Sequence, residues 1–251
     1  MYIYIRSLYV NSFMAIIIHR NDKSNPGDYW SRPSHYFNIG SEVLDINDLK
    51  SFVTNETIVL GGGGLLGRPK WHNTIKEITQ KNKVILWGAG HNNYPDNVKK
   101  SQLINVPQES TLPSYMKNFV KVGLRDYGLG YDWVPCASCM HPAFDVAIKI
   151  KPTKDTITIA HNKIKIRSEY DSIRHVADKD ELQEWLCEIA QYKNIITNTY
   201  HGAYWGMLLG KNVTIESWSS KFNNMYMFTK DPLQTARKAN IKFFTCCEYL
   251  I

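Results

Sequence analysis

The fold is decided by the stretch Asn194-Ile195-Ile196-Thr197-Asn198-Thr199-Tyr200-His201-Gly202. Its apolar start is typical of a short buried strand, and its polar turn leads into a helical pattern that runs through Leu209. A helix N-terminus carries unpaired backbone N–H groups and the positive end of the helix dipole, both of which attract anions. The stretch therefore predicts a strand, a turn and a helix that presents His201 at an anion-binding end.

The rest of the chain repeats this alternation of strand and helix. Strands are expected at residues 15–19, 57–60, 83–87, 121–124, 133–135, 156–160, 172–176, 194–197 and 212–215. Helices are expected at about 65–80, 178–191 and 203–209, and a last helix begins at Pro232. Such alternation indicates parallel, doubly wound sheets. With a linker at 149–154, we predict an α/β protein of two Rossmann-like domains, residues 1–150 and 151–251, that face a cleft.

Composition and charge narrow the class of protein. The 251 residues are 43% hydrophobic and 21% charged, which is typical of a globular chain. A net charge of +7 favours anionic partners such as phosphates, acidic glycans or a membrane surface. No basic run with interleaved aromatic residues points to nucleic acid. Because no apolar stretch approaches the ~18 residues of a membrane span, we expect a cytoplasmic protein that can associate with the inner face of the membrane.

The cysteines raise the question of a metal site. Cys136-Ala-Ser-Cys139 is followed by His141, a spacing that suits zinc or redox chemistry. A closed zinc site needs a fourth ligand, and the sequence holds no second C-x-x-C or H-x-x-x-H motif. The odd total of five cysteines also argues against a disulfide framework. We therefore expect no metal and favour a packed segment between the two domains.

The spacing Gly62-x-Gly64-x-x-Gly67 formally matches the dinucleotide-binding fingerprint. The next strand, however, ends in Leu86-Trp87-Gly88 without the acidic residue that binds a ribose diol. No Gly-Lys-Ser/Thr follows either, which excludes a Walker P-loop. Two interpretations remain: a surface free of side chains that a ligand approaches closely, or a tight turn between strand and helix.

Several charged residues follow the expected strands, and each has a structural alternative. Asp28 is a general base, a sugar ligand or a helix N-cap. Arg125 forks onto a carboxylate or phosphate, or pairs with Asp126, which otherwise caps the following helix. Lys211 and Lys221 are cationic candidates or solvated surface residues. His201 is a ligand-binding group or a satisfied core histidine.

Taken in order, these motifs resemble the polysaccharide pyruvyl transferase family. The motifs that carry the resemblance are Asn25-Pro26-Gly27-Asp28, Gly61–Gly64, Leu86-Trp87-Gly88-Ala89-Gly90, Gly123-Leu124-Arg125-Asp126 and Ile196-Thr197-Asn198-Thr199-Tyr200-His201-Gly202. The resemblance implies a fold of two Rossmann-like domains of the GT-B type. It also implies transfer of a pyruvyl group from phosphoenolpyruvate to sugar hydroxyls in capsule or exopolysaccharide assembly, without a cofactor.

The resemblance also assigns roles to residues. His201 would bind or protonate the donor with the help of the following N–H groups, and Arg125 and Lys221 would supply charge. The other residues of the donor side would be Thr199, Tyr200 and Gly202, whose missing side chain lets a ligand approach. The acceptor side would consist of Asp28 as base, Asn25, Gly27, Gly61, Gly62, Gly63, Gly64 and Asp126. The acceptor would be a sugar or a lipid-linked oligosaccharide, with no protein partner or nucleic acid expected.

Three other functions stay open from the sequence. Thr199 stands where many members of the family have an arginine, and a glycosyltransferase that uses a nucleotide sugar would need the same phosphate site at the helix end. A glycan-binding protein without catalytic activity is the third hypothesis. An NAD-dependent oxidoreductase is the least favoured, because the ribose-binding acid is absent.

Overall fold

The computed structural model describes residues 15–49, 53–94, 111–164, 166, 172–174, 182–226, 228 and 230–251. Within these residues strands and helices alternate and form two parallel sheets, as the sequence pattern predicts. The central strands of the first sheet are apolar, β-branched runs that are buried on both faces, which is typical of parallel sheets covered by helices.

The first sheet has the strand order β2-β1-β3-β4-β5-β6 in the described part of the chain. Its strands are β1 (Ile16–His19), β2 (Val43–Asp45), β3 (Thr57–Gly61), β4 (Lys83–Ala89), β5 (Lys121–Leu124) and β6 (Asp132–Trp133). Across the three neighbouring strands β1, β3 and β4, Ile17 lies beside Val59 and Val59 lies beside Ile85. All three side chains are fully buried.

The second sheet has the order β10-β9-β7-β8, again among described residues. Its strands are β7 (Lys154–Ala160), β8 (Ser172–Arg174), β9 (Tyr192–Thr197) and β10 (Asn212–Ile215). Ile157 and Ile195 lie side by side in this sheet and are fully buried. The predicted linker at 149–154 thus leads directly into a new parallel sheet.

Helices cover both sheets. They are α1 (Pro26–Tyr29), α2 (Pro69–Lys81), α3 (Ala143–Ala147), α4 (Leu182–Ala190), α5 (Tyr200–Leu208) and α6 (Pro232–Cys247). Helix α3 packs into the core of the second sheet through Phe144, whereas Phe243 and Cys247 of α6 pack against Trp87 of the first sheet. The packing thus crosses the predicted boundary at residue 150 in both directions, and the division into domains stays a prediction.

Some element boundaries differ from those expected. Helix α2 begins at Pro69 rather than 65, because Leu66 donates to the Gly90 carbonyl and Gly67 has a φ of +75°. Strand β2 was not expected, since its three residues carry little pattern. Helix α5 begins at Tyr200 rather than 203, and residues 175–181, where a helix start was expected, lie outside the described part. None of the helices in the described ranges is long and apolar enough to cross a bilayer.

Candidate functional site

A cavity of about 360 Å³ lies where the carboxyl ends of the two sheets meet. Arg20, Gly63 and Arg125 enter it from loops that follow β1, β3 and β5, and His161 and His201 follow β7 and β9. Ligands of open α/β sheets bind at this edge, because the strand ends and helix starts converge there. The cavity is therefore the candidate site.

Nine of the residues predicted for the site line this cavity, although they come from both halves of the chain. They are Asn25, Asp28, Gly63, Gly64, Arg125, Thr199, Tyr200, His201 and Lys221. The remaining predicted residues are not among those that line it, and they are Gly27, Gly61, Gly62, Asp126 and Gly202. Each of these five supports a lining residue or a loop instead.

Asp28 is the third residue of the short helix α1. Asn25 is the N-cap, because its Oδ1 accepts the Asp28 N–H at 3.4 Å, so of the alternatives for Asp28 the N-cap is ruled out. Asn25 Nδ2 also donates to Asp28 Oδ2 at 2.8 Å. Burial raises the pKa of Asp28 to about 6, and the charges of Arg20, Lys221 and Arg125 oppose this rise. The carboxylate is thus ionised at neutral pH and suited to accept a proton.

The start of helix α5 is organised by two threonines. The Thr199 hydroxyl accepts the Gly202 N–H at 3.0 Å, and the Thr197 hydroxyl accepts the Thr199 N–H at 3.0 Å. A Cβ on Gly202 would lie 2.4 Å from Thr199 Oγ1. Gly202 is therefore needed for the cap, and its N–H is bound within the protein. The expectation that Gly202 exposes the helix end to a ligand is wrong, and that role falls to Tyr200 and His201.

The His201 ring packs between the two halves of the chain. Its Nε2 lies 3.4 Å from Cys136 Sγ, and its ring centroid lies 5.2 Å from that of Trp205. A Cβ on Gly27 would come within 2.1 Å of His201 Nδ1, so Gly27 leaves room for the ring. His201 is 7% exposed and still lines the cavity. It thus combines a packed position with access to a ligand.

The cysteine motif does not converge on a metal. Cys136 and Cys139 are fully buried, and the His141 ring turns away to accept the Ala143 N–H at 3.1 Å. Over the described ranges, no group of three or more His, Cys, Asp or Glu side chains is placed to hold a metal ion. Residues 136–147 instead fill the core beside the second sheet.

Arg125 has the internal contact with Asp126 and also lines the cavity, so its role toward a ligand stays a prediction. Its Nε lies 3.4 Å from Asp126 Oδ1, its Nη2 donates to the His91 carbonyl at 2.9 Å, and its guanidinium carbon lies 4.0 Å from the centroid of the Tyr200 ring. Asp126 also accepts the His91 N–H, and the residues after it form turns rather than a helix, so its predicted capping role is wrong. Asp126 therefore holds the Arg125 side chain in place and is not among the residues that line the cavity.

The two candidate lysines lie in different parts of the fold. Lys221 lines the cavity, with Nζ 4.1 Å from the centroid of the Trp218 ring. Lys211 lies at the amino edge of the second sheet, where Nζ donates to the Ala190 carbonyl at 2.6 Å. Only Lys221 remains a candidate, because Lys211 stabilises the end of helix α4.

The glycine loop supports the site with its backbone. Gly62 has a φ of +74°, and a Cβ there would lie 2.5 Å from the Ser31 carbonyl oxygen. Gly61 likewise packs against Pro33. Gly62 donates its N–H to the Trp87 carbonyl, and the helix starts only at Pro69. The loop therefore differs from a dinucleotide-binding turn, in which the amides and the helix start face the phosphates.

The cavity also contains residues that were not predicted. They are Arg20, Arg68, Lys70, Trp71, Asn92, Tyr94, His161, Lys163 and Trp218. Arg20 and His161 directly follow expected strands, so that position was an available signal. Arg68 lies 4.1 Å from the Tyr94 ring centroid, and the Tyr94 and Trp218 rings are 5.3 Å apart. With these additions the lining holds six Arg and Lys side chains and, as its acidic residue, Asp28.

Comparison with known proteins adds little to this site. The chain matches no protein-family model and no curated protein sequence. It is similar to the crystal structure of a functionally uncharacterised protein from Klebsiella pneumoniae subsp. pneumoniae NTUH-K2044, with 16% identity and a TM-score of 0.46. The match covers 80% of this chain and 82% of that one. The function is therefore argued from the residues of the cavity.

Proposed function

We propose that the protein is a transferase that moves a pyruvyl group from phosphoenolpyruvate to a sugar hydroxyl in the biosynthesis of a cell-surface polysaccharide. The observation that carries the proposal is one cavity, rich in Arg and Lys, that joins Asp28 of the first half to His201 of the second. In this proposal the two parallel sheets are Rossmann-like units of the GT-B type, with the acceptor on the first and the donor on the second.

The charge of the cavity suits this donor. Phosphoenolpyruvate carries a carboxylate and a phosphate, and guanidinium and ammonium groups bind both well. Arg125 and Lys221 lie next to the start of helix α5, whose dipole adds positive potential. His201 meets the donor there, either as a hydrogen-bond donor or as a proton source.

The chemistry requires balanced proton transfers. The methylene carbon of the donor gains a proton from His201 or from solvent, and a sugar hydroxyl oxygen bonds to the neighbouring carbon while its proton passes to Asp28, which later returns it to solvent. The bond from that carbon to the phosphate oxygen then breaks, and Arg125 and Lys221 hold the departing phosphate. A second hydroxyl closes the ketal, and its proton leaves with the phosphate.

The direct test measures phosphate release from phosphoenolpyruvate in the presence of a panel of sugar acceptors. We expect release in the wild-type protein and a loss of about 10²–10³-fold in Arg125→Ala, the magnitude typical of removing a charge-stabilising group. Arg125→Lys keeps a charge if Arg125→Ala fails to fold. Lys211→Ala is the control, because it also removes a positive charge but at a residue that does not line the cavity.

Two results would overturn the proposal. Calorimetry that finds UDP or GDP binding without phosphoenolpyruvate binding would favour a nucleotide-sugar glycosyltransferase. Sugar binding without turnover of any donor would favour a glycan-binding protein. Normal turnover in a folded His201→Ala protein would contradict the assignment of the cavity as the active site.

A further inference from the structure

Cys136 is a buried nucleophile that the proposed chemistry does not use. Helix α5 presents His201, Tyr204 and Trp205 on one face, as the spacing of three and four residues requires. Tyr204 Oη donates to the Cys136 carbonyl at 2.9 Å. This bond fixes the backbone of Cys136 directly beside the His201 ring, where Sγ lies 3.4 Å from Nε2.

The hydrogen bonds around Cys136 have a defined direction. Trp205 Nε1–H can only donate, and it donates to Ser138 Oγ at 3.0 Å. The Ser138 hydroxyl has Cys136 Sγ at 3.2 Å as an acceptor for its own proton. Both residues are fully buried, so the opposite direction would leave the Ser138 O–H without this acceptor, which is costly. The Cys136 S–H is then directed to His201 Nε2.

The protonation state of the thiol is compatible with this direction. Burial raises the pKa of Cys136, so the thiol keeps its proton at neutral pH and can donate it in a hydrogen bond. A Cys136 S–H donor requires an unprotonated Nε2 on His201, and a neutral imidazole then carries its proton on Nδ1. Nδ1 lies against Gly27 of helix α1, the residue before Asp28.

We propose that Cys136 is a positioning residue that holds His201 as the neutral tautomer with its proton on Nδ1. His201 then binds the anionic donor as a hydrogen-bond donor and does not protonate the methylene carbon. The role of His201 toward the donor rests on the proposed function, whereas the tautomer of His201 follows from contacts within the protein alone.

The tautomer is tested without any substrate. In protein with ¹⁵N-labelled histidine at neutral pH, we expect a pyrrole-type signal for His201 Nδ1 and a pyridine-type signal for Nε2, assigned by their loss in His201→Asn. Cys136→Ser retains a donor and should keep this pattern, whereas Cys136→Ala should lose it. Cys139→Ala is the control, because Cys139 is equally buried one helical turn away. A protonated Nε2 in the wild type, or an unchanged pattern in Cys136→Ala, would overturn the proposal.

The role toward the donor is tested with two substitutions of His201. An asparagine amide nitrogen takes the place of Nδ1, so we expect His201→Asn to retain activity within about tenfold of wild type, the size of one hydrogen bond. His201→Gln places its nitrogen near Nε2 and should be as inactive as His201→Ala. Equal inactivity of all three variants would identify His201 as the proton source instead. If wild-type protein does not turn over phosphoenolpyruvate, the proposed function fails while the tautomer result stands.

Discussion

The carboxylate of Asp28 lies among cationic side chains, and burial still raises its pKa from 3.8 to about 6. The folded protein therefore binds this proton more tightly than the unfolded chain. The contribution of Asp28 to stability must therefore fall as the pH rises through the interval from about 4 to 6, and its full cost is present above pH 6. At neutral pH the molecule keeps a destabilising charge at its candidate site, which is a common feature of catalytic groups.

Asp28→Asn removes this charge while its amide oxygen can still accept from Asn25. We expect the free energy of unfolding at pH 7 to rise by about 1–2 kcal/mol, less than the full pKa shift because Asp28 is only partly shielded from water. At pH 4 the variant and wild type should be equally stable. Urea unfolding at both pH values measures this, and a destabilised variant at pH 7 would contradict it.

The same carboxylate should control the rate. If Asp28 accepts the proton of the acceptor hydroxyl, kcat/KM for the sugar should rise with pH through about 6, as the carboxylate ionises. Asp28→Asn should abolish both the activity and the rise. A rate that is constant between pH 5 and 7.5 would remove Asp28 from this role.

Gly27 controls the position of His201. A Cβ at residue 27 would lie 2.1 Å from His201 Nδ1, so Gly27→Ala must displace the ring. We expect turnover to fall by about a hundredfold, since a displacement of about 1 Å at a catalytic centre has this effect. Gly206→Ala is the control, because its Cβ would meet Ile195 and Val213 of the second sheet and not the His201 ring. Equal activity of the two variants would speak against the assigned position of His201.

At the scale of the element, helix α5 depends on its cap. Thr199→Ala removes the acceptor of the Gly202 N–H and should cost about 1 kcal/mol of stability, whereas Thr199→Ser should cost little. Because the first turn also carries Tyr200 and His201, the alanine variant should bind phosphoenolpyruvate more weakly than the serine variant. Thermal unfolding and calorimetry of the pair test this. Identical donor affinities would show that the cap serves stability alone.

The elements also show how far sequence patterns reach. A strand followed by a helix was predictable here, because an apolar run before a polar turn is a local signal, although the strand begins at Tyr192 rather than 194 and the helix at Tyr200 rather than 203. The start of helix α2 was not predictable, because a hydrogen bond from Leu66 to the distant Gly90 carbonyl and the positive φ of Gly67 keep the chain out of the helix as far as Arg68. Strand β2 has three half-buried residues and depends on pairing with β1.

At the scale of the whole molecule, buried histidines should make the fold sensitive to acid. Burial and the charge of Arg32 lower the pKa of His19 to about 3 and that of His35 to about 4. The unfolded chain binds these protons more tightly than the folded protein. Stability should therefore decline as the pH falls below about 6.5 and continue to decline toward pH 4 and 3.

His19→Leu isolates this effect. Both ring nitrogens of His19 are buried and, within the described ranges, have no hydrogen-bond partner. The leucine variant should exceed wild type by about 1 kcal/mol at pH 7, and the gap should widen by about 1–2 kcal/mol at pH 5. Chemical unfolding at the two pH values measures the gap. A gap that is constant with pH would show that His19 does not titrate as stated.

The alternation of apolar runs and turns sufficed to predict parallel α/β sheets and the strand-turn-helix unit that carries His201, because periodicity is a local property of the chain. Which loops meet in space depends on the tertiary packing. Lys211 and Lys221 were equivalent in the sequence, and only packing placed Lys221 in the cavity with Arg68 and Tyr94. The contact of His201 with Cys136 joins residues 65 positions apart. Such contacts arise when distant segments pack into one buried core, in which burial and shape select the neighbours, and no local signal encodes that selection.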